Sequence, residues 1–356
     1  MDGNQVSMND VAKACGVSKN TVSLALRDSP SISPKTKSKI LKAAKNLGYE
    51  KNMTFSKFMS EIKKHGANKY RETIALINAN KNPNAFKEHP TIPCYVEGIR
   101  KAAKREGFAI NEFWLYDKDL NGRKLARIMK QRGIRGGVIT GLMDTNLLPQ
   151  SYKEVWSSFK FVITGVRTYN PTLNFTIADH FLIAYKATLK ALEYGYDRPA
   201  LVLERRIDDL IEGRFTGGFL RAQLQMPKEN RIEPFFDVKE ANEDIEVFKK
   251  WFKKNKPNAI ICLYNSVEKW VDDMGLKVPQ DLGLIQLERR THQGKWAGMN
   301  QRNDIAGEAA IERLSQILYS PNPDFNINIT ASLISPEWVE SETILNRNKT
   351  SKKKSR

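Results

Sequence analysis

The sequence predicts two structural parts, a small all-α domain at the N-terminus and a larger α/β core divided into two lobes. At 356 residues the chain is too long for one ordinary hydrophobic core. Residues 1–48 show only helical patterning, whereas from Thr73 onwards short apolar segments alternate with longer helical ones. This alternation is typical of a parallel sheet covered by helices on both faces. Because the unit recurs too often for a single sheet, we expect two sheets.

The first two helices are predicted within Val11–Leu26, which reads VAKACGVSKNTVSLAL. Asn9 is expected to cap a helix over residues 10–14, and Gly16 to supply the left-handed residue of a sharp turn. Ser18 is expected to cap the second helix. The side buried where the two helices cross is expected to consist of Val11, Ala14, Val17, Val22 and Leu26.

A third helix is predicted after Ser33, with Pro34 at its first position. Its core-facing residues are expected to be Ile40, Leu41, Ala44 and Leu47. Three helices of this kind form a helix-turn-helix domain, whose second helix enters the major groove of DNA. The alternative is a helical hairpin without a ligand. The joint occurrence of a turn glycine, a capping serine and a basic flank disfavours that alternative.

The α/β core is predicted from its alternating segments. Strands are expected over residues 73–79, 109–116, 136–142, 159–166, 199–204, 258–264 and 281–287. Helices are expected over residues 94–108, 122–133, 180–195, 213–225, 242–254, 265–275 and 304–318. Residues 347–356 lack apolar periodicity and are expected to form a disordered basic tail.

The net charge of +18 is concentrated at the two ends of the chain. Residues 1–66 contain 12 Lys and Arg against five Asp and Glu, and residues 346–356 contain six basic residues and no acidic one. Basic ends are expected where a protein contacts a polyanion such as nucleic acid. On its own, such a charge is equally compatible with a basic surface that only keeps the protein in solution.

Several classes of protein are disfavoured by what the sequence lacks. No segment approaches the roughly 18 apolar residues of a membrane span, and the N-terminus lacks the pattern of a secretion signal. The three cysteines are too widely separated for a disulfide framework or a Cys-based zinc site, which fits a reducing cytoplasm. No H-E-x-x-H, G-x-S-x-G, P-loop or dinucleotide-binding pattern occurs. We therefore expect no metal ion, no cofactor, no catalytic residues and no enzyme activity.

The segment MNDVAKACGVSKNTVSLALR, followed by SISPKT and LGY, resembles the DNA-binding signature of the lactose/galactose-repressor (LacI/GalR) family over residues 7–52. The resemblance implies a helix-turn-helix domain at 1–48, a hinge helix within the linker 49–70, and an effector-binding and dimerisation core at 71–346. That core would be similar to the two-lobed type I periplasmic binding proteins. Its expected lobes are residues 71–167 with 298–330, and 168–297 with 331–346.

The resemblance places Lys19, Asn20 and Leu24 against base edges. Asn can bond to adenine in a bidentate manner and Lys can donate to guanine, and each such contact contributes ~1–3 kcal/mol of discrimination. Many relatives carry Arg at the position of Leu24, whereas Leu cannot donate a hydrogen bond and is expected to pack on a thymine methyl group. Ser7, Thr21 and Ser23 are expected to contact phosphates, and Ser18 completes the helix-turn-helix part of the predicted site.

The linker carries apolar residues at helical spacing after a cap at Asn52, namely Met53, Phe55, Phe58, Met59 and Ile62. In the family the hinge helix pairs with its twin in the minor groove, where an apolar wedge kinks the DNA. The resemblance puts that wedge at Phe58 and adds Asn52 to the DNA-binding set. We expect residues 52–64 to become ordered only on DNA, because a short isolated helix is marginal in water. The alternative is that these side chains pack on the core.

A small ligand, a sugar or sugar derivative, is expected in the cleft between the lobes. The family's Arg, Asn and Asp that hold sugar hydroxyls match Arg214, Asn265 and Glu288. Asp179 is expected either to line the same cleft or to cap the following helix, with His180 in place of the family's Asn.

Two aromatic residues complete the expected effector set. Trp296 is expected either to stack on a sugar ring or to pack in the core. Phe86 is a candidate in the loop over residues 78–93, together with His89.

The expected function is that of a sequence-specific transcriptional regulator, a repressor, acting as a homodimer on a pseudo-palindromic double-stranded DNA operator. Its operator affinity would be controlled by a small carbohydrate, and it would reside in the cytoplasm at the nucleoid, without a membrane partner. Two alternatives stay open. One is a non-specific architectural DNA-binding protein, which the basic tail suggests, and the other is a sugar-binding protein without a regulatory role.

Overall fold

A computed structural model of the chain describes residues 8–26, 32–47, 72–290, 294–320 and 328–348. The chain divides into two compact units between residues 70 and 71. The first is a three-helix unit and the second an α/β core with parallel sheets, as the sequence predicts. None of the helices in the described ranges is long and apolar enough to cross a membrane.

The N-terminal unit consists of α1 (Met8–Cys15), α2 (Lys19–Leu26) and α3 (Pro34–Asn46). The turn between α1 and α2 depends on Gly16, whose φ of +63° favours glycine. At the start of α3, the Ser33 hydroxyl accepts a hydrogen bond from the Thr36 backbone N–H at 3.3 Å, and Pro34 follows the cap as predicted. The three helices pack around a small core formed by Val11, Ala12, Cys15, Val22, Ala25, Ile40 and Ala44.

Some local predictions for this unit are wrong. Asn9 lies within α1, which begins at Met8, rather than before it, and its side chain lies outside what the structure describes. Ala14 is exposed, and Cys15 is buried instead because it lies one turn after Val11 on the same helix face. Leu41 is 45% exposed and Leu47 lies exposed at the end of α3, because Ile40 and Ala44 already fill the small core.

The first lobe contains a six-stranded, entirely parallel sheet with the order β10-β5-β4-β3-β1-β2. Its strands are β1 (Glu72–Asn78), β2 (Phe108–Trp114), β3 (Gly136–Thr140), β4 (Lys160–Thr164), β5 (Asn174–Ala178) and β10 (Ala331–Ile334). Its helices are α4 (Ala85–Glu88), α5 (Ile92–Arg105), α6 (Gly122–Gln131), α7 (Lys153–Ser158) and α14 (Asn303–Tyr319). Core residues lie on both faces of this sheet, in two separate clusters.

The second lobe contains a five-stranded sheet with the order β11-β9-β8-β7-β6, in which only β11 is antiparallel to its neighbour. Its strands are β6 (Pro199–Val202), β7 (Ala259–Cys262), β8 (Gly283–Gln286), β9 (Ala297–Asn300) and β11 (Glu337–Val339). Its helices are α8 (His180–Glu193), α9 (Arg205–Leu210), α10 (Arg214–Gln223), α11 (Val238–Glu243), α12 (Ile245–Asn255) and α13 (Ser266–Asp273).

The chain passes between the lobes three times: from β5 to α8, from β9 to α14, and from β10 to β11. The expected lobe boundaries differ from this at each passage. β5 and β10 belong to the first sheet rather than the second lobe, and β9 belongs to the second. The sequence misleads at β5 because a nine-residue loop without a helix joins it to β4, whereas parallel neighbours usually need a longer crossover.

The ordered core also extends beyond its expected end at residue 346. Arg347 lies over the ring of Tyr196, with 4.0 Å from its guanidinium carbon to the ring centroid. The Asn348 side chain donates to the Glu193 carbonyl at 2.9 Å. Both residues therefore pack on the second lobe and are not part of a disordered tail. Residues 349–356 lie outside the described part of the chain.

Candidate functional site

The start of α2 is fixed by Ser18. Its hydroxyl oxygen accepts a hydrogen bond from the Thr21 backbone N–H at 3.1 Å and lies 2.9 Å from the Thr21 hydroxyl. Val22 and Ala25 on the same helix are buried against α1 and α3. The prediction of Ser18 as the cap is confirmed, and the cap and the core together fix which face of α2 is turned outward.

Four of the predicted DNA contacts on α2 have side chains that the structure describes. Lys19 is exposed, whereas Thr21, Ser23 and Leu24 are half-buried. Asn20 belongs to α2, but its side chain lies outside what the structure describes. The predicted contacts Ser7, Asn52 and Phe58, and the hinge helix as a whole, also lie outside the described residues.

The second unit contains a cleft between its two lobes, with a volume of about 480 Å³. This volume lies within the range of small-molecule sites. The cleft opens where strands of both sheets end, because the residues after the carboxyl ends of parallel strands meet there. The first lobe contributes His89, Pro90, Thr91, Tyr95, Met143, Gly165, Val166 and Gln301. The second contributes His180, Arg206, Ile207, Leu210, Ile211, Phe215, Leu263, Tyr264, Asn265, Ser266, Glu288 and Arg290.

Glu288 is the centre of a hydrogen-bond network in the cleft. Its Oε2 accepts hydrogen bonds from Arg290 Nη2 at 2.6 Å and from Thr91 Oγ1 at 3.1 Å, and its Oε1 accepts from Asn303 Nδ2 at 3.2 Å. Arg290 Nη2 also donates to Thr91 Oγ1 at 3.1 Å. Glu288 follows β8 in the second lobe, while Thr91 and Asn303 begin helices of the first. One carboxylate therefore joins both lobes.

Asn265 lies at the start of α13 and also lines the cleft. Its Oδ1 accepts a hydrogen bond from Gln286 Nε2 at 3.1 Å, and Gln286 is fully buried in β8. Because the amide oxygen is held by Gln286, the orientation of the Asn265 amide group is fixed.

Two histidines line the cleft and are held in the neutral form. His89 Nδ1 accepts hydrogen bonds from the Thr91 and Ile92 backbone N–H groups at 3.1 and 3.3 Å, so it caps α5. Burial, followed by the positive charge of Arg290, lowers the pKa of His89. Burial, followed by the charge of Arg214, lowers the pKa of His180 to about 3. Neutral imidazoles fit a cleft whose charged groups already include two arginines.

Glu212 forms a second link between the lobes. It has a φ of +64°, a strained conformation for a residue other than glycine. Its carboxylate lies 3.2 Å from Arg167 Nη1 in the first lobe and 3.3 Å from Arg214 Nη2 in the second. At the mouth of the cleft Arg206 Nη1 donates to Asp144 at 2.9 Å, again between lobes. The lobes thus meet through several direct polar contacts.

The six residues expected to bind an effector separate into two groups. Asn265 and Glu288 line the cleft. Arg214, Asp179, Phe86 and Trp296 are not among the described residues that line it. Arg214 is held by Glu212 instead.

The other three of the non-lining residues have structural roles. Asp179 Oδ1 accepts from the Leu182 backbone N–H at 3.1 Å, so it caps α8. Trp296 is 2% exposed in the core of the second lobe and presents no ring to the cleft. Phe86 packs partly buried against the core of the first lobe.

Thr91, Tyr264 and Arg290 line the cleft although the sequence did not predict them there, and His180 lines it although no role was predicted for it. Arg290 carried a usable signal, because it is two positions after Glu288 and residues two apart in an extended segment share one side. Arg289, which directly follows Glu288, turns away and donates its Nε to the Trp296 carbonyl at 3.4 Å. Thr91 had no such signal, since it reaches Glu288 from a distant part of the chain.

The cleft has the chemistry of a binding site. Its lining combines a carboxylate, a guanidinium and amides with aliphatic and aromatic side chains such as Val166, Leu210 and Phe215. Such a combination suits a small molecule with several hydroxyl groups on an apolar frame. Within the described ranges, no group of His, Cys, Asp and Glu side chains is arranged to hold a metal ion.

Comparison with known proteins gives the same two-part division. The profile of bacterial regulatory proteins of the lacI family matches residues 7–52, and the profile of periplasmic binding proteins and the sugar-binding domain of the LacI family matches residues 71–269. The transcriptional regulator MalR of Streptococcus pneumoniae is 24% identical over 212 residues, covering 60% of this chain and 61% of MalR. The NTD biosynthesis operon regulator NtdR of Bacillus subtilis is 24% identical over 294 residues, covering 80% of this chain and 83% of NtdR.

Solved structures show the same fold. A complex of the transcriptional regulator CelR with cellobiose superposes with a TM-score of 0.56 at 16% identity, covering 95% of this chain and 99% of CelR. The Lac repressor dimer bound to operator and the anti-inducer ONPF gives a TM-score of 0.55 at 16% identity, covering 96% and 100%. Since the second profile alone matches more than half of the residues, the chain belongs to the LacI family of bacterial regulatory proteins.

Proposed function

We propose that this protein is a sequence-specific DNA-binding transcriptional regulator, a repressor, whose operator affinity is controlled by a small ligand in the cleft. One observation carries the proposal: a single chain joins a capped helix-turn-helix unit to a two-lobed core with a ligand-sized cleft. The first element suits DNA and the second suits a small molecule. We propose that it acts as a homodimer in the cytoplasm, at the nucleoid.

On the DNA side, Lys19, Asn20 and Leu24 contact base edges in the major groove. Ser7, Thr21 and Ser23 contact phosphates together with Ser18, which also caps α2. In the dimer, two copies of α2 meet two half-sites of a pseudo-palindrome. Asn52 and Phe58 act in the minor groove through the hinge helix. The description of the Lac repressor as a dimer on its operator supports this arrangement.

On the ligand side, the effector is a carbohydrate held by Glu288 and Asn265. Both side chains line the cleft, and a carboxylate makes stronger hydrogen bonds to hydroxyl groups than a neutral acceptor does. Arg214 is bonded to Glu212, so it can bind the ligand only if that contact breaks. The description of CelR as a complex with cellobiose supports a carbohydrate ligand.

The ligand controls DNA binding by changing how the lobes close. Glu288, Glu212 and Arg206 each join the two lobes directly, so a ligand that replaces one of these contacts changes the balance between closed and open arrangements. In this proposal the cleft binds its ligand without chemical change, and the protein is not an enzyme. That view agrees with the relatives, which are described as regulators.

Selection of DNA from a random pool with the full-length protein tests the proposal. We expect enrichment of an inverted repeat with two equal half-sites. Asn20→Ala should weaken binding to the selected site about tenfold, because each bidentate base contact contributes ~1–3 kcal/mol of discrimination. Lys45→Ala, which removes an exposed charge from α3, is the matched control and should change the affinity much less.

The same selection distinguishes the second candidate function, a non-specific architectural DNA-binding protein. The basic ends of the chain favour this candidate. It predicts steep salt dependence without an enriched sequence, since phosphate contacts carry no base information. A pool that stays random after several rounds would therefore contradict a specific regulator and support the architectural role.

A further inference from the structure

Gln286 is a polar residue in the interior of the second lobe. It is the last residue of β8, a strand with a neighbour on each side, and its side chain is fully buried. Side chains alternate along a strand, so Gln286 shares a face of the sheet with Leu284, two positions before it. Leu284 packs in the apolar core beneath α11, α12 and α13. The pattern of the strand therefore favours an apolar residue at position 286.

The amide group of Gln286 is linked to the cleft through Asn265. Its Nε2 donates to Asn265 Oδ1 at 3.1 Å, whereas its Oε1 is buried and has no hydrogen-bond partner among the residues that the structure describes. Buried polar atoms are almost always hydrogen-bonded, and one without a partner lowers stability. A residue that lowers stability within an apolar core points to a role other than packing. The bond that Gln286 does form leads to a residue that lines the cleft.

Asn265 connects the buried Gln286 to the ligand space, because it is exposed and belongs to the cleft lining. A primary amide is planar, so a bond at its oxygen also fixes the position of its nitrogen, which carries two N–H donors. An exposed side chain without such a bond rotates, and it loses conformational entropy when a ligand holds it in one position. Gln286 removes this cost from ligand binding.

We propose that Gln286 is a positioning residue of the cleft. It holds Asn265 by the amide oxygen and so directs the Asn265 amide nitrogen, as a hydrogen-bond donor, at an oxygen atom of the ligand. The proposal rests on the proposed function, in which the cleft takes a carbohydrate, whose hydroxyl and ring oxygens accept hydrogen bonds. Asn265 then acts as a donor and Glu288 as an acceptor toward the same ligand.

Gln286→Met in the full-length protein tests the proposal, because Met has about the length of Gln and no amide group. Asn265→Ala and the double variant complete a double-mutant cycle. Gln223→Met is the matched control. Gln223 is also buried in the second lobe, where its Nε2 donates at 2.7 Å to the Ile232 carbonyl, and neither of these two is among the described residues that line the cleft.

Thermal unfolding of each variant is first followed without sugar. Gln286→Met should unfold at a temperature equal to or above that of the wild type, because it removes an unsatisfied buried oxygen and Asn265 can bond to water instead. Gln223→Met should unfold at a lower temperature, because the Ile232 carbonyl loses the Gln223 donor. A decrease for Gln286→Met as large as that for Gln223→Met would show that Gln286 stabilises the fold, and would overturn the proposal.

Unfolding is then followed with ribose, glucose, maltose or cellobiose, and the affinity of each stabilising sugar is measured by calorimetry. Gln286→Met and Asn265→Ala should each bind about three- to tenfold more weakly than the wild type, while Gln223→Met binds as the wild type does. Because Gln286 acts through Asn265, the double variant should bind no more weakly than Asn265→Ala alone. Additive losses in the double variant would overturn the proposal.

The failure of this proposal and that of the proposed function are distinguishable. A sugar that stabilises the wild type and binds Gln286→Met with unchanged affinity would leave the carbohydrate ligand standing and overturn only the positioning role. A wild type that none of the four sugars stabilises would overturn the carbohydrate ligand, and the role of Gln286 in binding it as well. The DNA selection described above decides the DNA-binding function separately in either case.

Discussion

Arg290 and Glu288 form a salt bridge in the cleft, and both side chains also bond to Thr91. Both side chains are largely buried, and Arg290 Nη2 lies 2.6 Å from Glu288 Oε2 and 3.1 Å from Thr91 Oγ1. A buried charge that loses its partner destabilises the folded state strongly, whereas exposed pairs contribute little. The pair therefore holds together one end of the second lobe and, through its two bonds to Thr91, the contact of this end with the first lobe.

Replacement of Arg290 by Met should lower the free energy of unfolding of the core by about 1–3 kcal/mol, because the Glu288 carboxylate then stays buried without its guanidinium. Urea unfolding at pH 7 measures the change. Arg289→Met is the matched control, because the Arg289 backbone N–H keeps its 2.8 Å bond to the Met299 carbonyl and the substitution removes only a weak hydrogen bond of the side chain. Equal effects of the two substitutions would contradict the role given to Arg290.

His180 makes the stability of the core depend on pH. Its pKa is about 3 in the folded protein, against an ordinary value of about 6.5. Between these values the unfolded chain binds a proton that the folded chain does not. The stabilisation by the neutral ring is therefore complete above pH 6.5 and is lost as the pH falls toward 3.

The stability difference between the wild type and His180→Asn isolates this effect, because His89 is present in both proteins. Between pH 7 and pH 5 the difference in free energy of unfolding should shift against the wild type by about 2 kcal/mol. Chemical unfolding at the two pH values measures it. A difference that does not change with pH would show that His180 binds a proton in the folded protein as readily as in the unfolded chain.

At the scale of elements, the first lobe depends on the close approach of α5 and α14. The Cβ of an alanine at Gly98 would overlap the carbonyl oxygen of Asp304, and one at Gly307 would overlap the carbonyl oxygen of Tyr95. Backbone atoms cannot move aside without separating the helices. Both helices begin at the cleft, so this crossing also sets the positions of Thr91 and Asn303 relative to Glu288.

Gly98→Ala should destabilise the core by about 1–3 kcal/mol or more through overpacking at this crossing. Gly294→Ala is the control, since a Cβ there meets no atom within 4 Å. The midpoint of thermal unfolding of the full-length protein distinguishes the two. Comparable midpoints for both variants would contradict the packing of α5 against α14.

Elements that depend on local chemistry could be predicted from the sequence. Ser18 and the Ser33-Pro34 pair start helices as expected, because capping requires only residues within one turn. The membership of β5 and β10 could not be predicted, because each joins a sheet through pairing with a distant segment. The burial of Leu41 and Trp296 could not be predicted for a similar reason, since the sequence does not show which apolar side chains pack into a core.

For the molecule as a whole, the sequence predicted the division into a helical unit and a two-lobed core and placed Asn265 and Glu288 at strand ends that meet in the cleft. It did not reveal that Glu212 holds Arg214, because that contact depends on a backbone turn with positive φ. It also did not reveal the links between lobes, since each joins residues far apart in the chain.

Arg347 and Asn348, which the sequence placed in the basic tail, pack on the second lobe. Deletion of residues 349–356 removes five basic residues and leaves that packing intact. We expect the slope of log K against log salt for DNA binding to become shallower by ~0.9 for each phosphate that the tail no longer neutralises. The preferred DNA sequence should not change. Titrations of selected and scrambled DNA at several salt concentrations measure both quantities, and an altered sequence preference would contradict a tail that only binds phosphates.

The central claim is that one chain couples a ligand in the cleft to DNA binding by α2. The most direct measurement is a fluorescence anisotropy titration of the selected operator with full-length protein, with and without a saturating concentration of a sugar that stabilises the core. Coupling between two sites of one protein typically changes affinity by about 5- to 150-fold. We predict a change in the operator Kd within that range, with binding to scrambled DNA unaffected. An operator Kd that is the same with and without the sugar would contradict the claim.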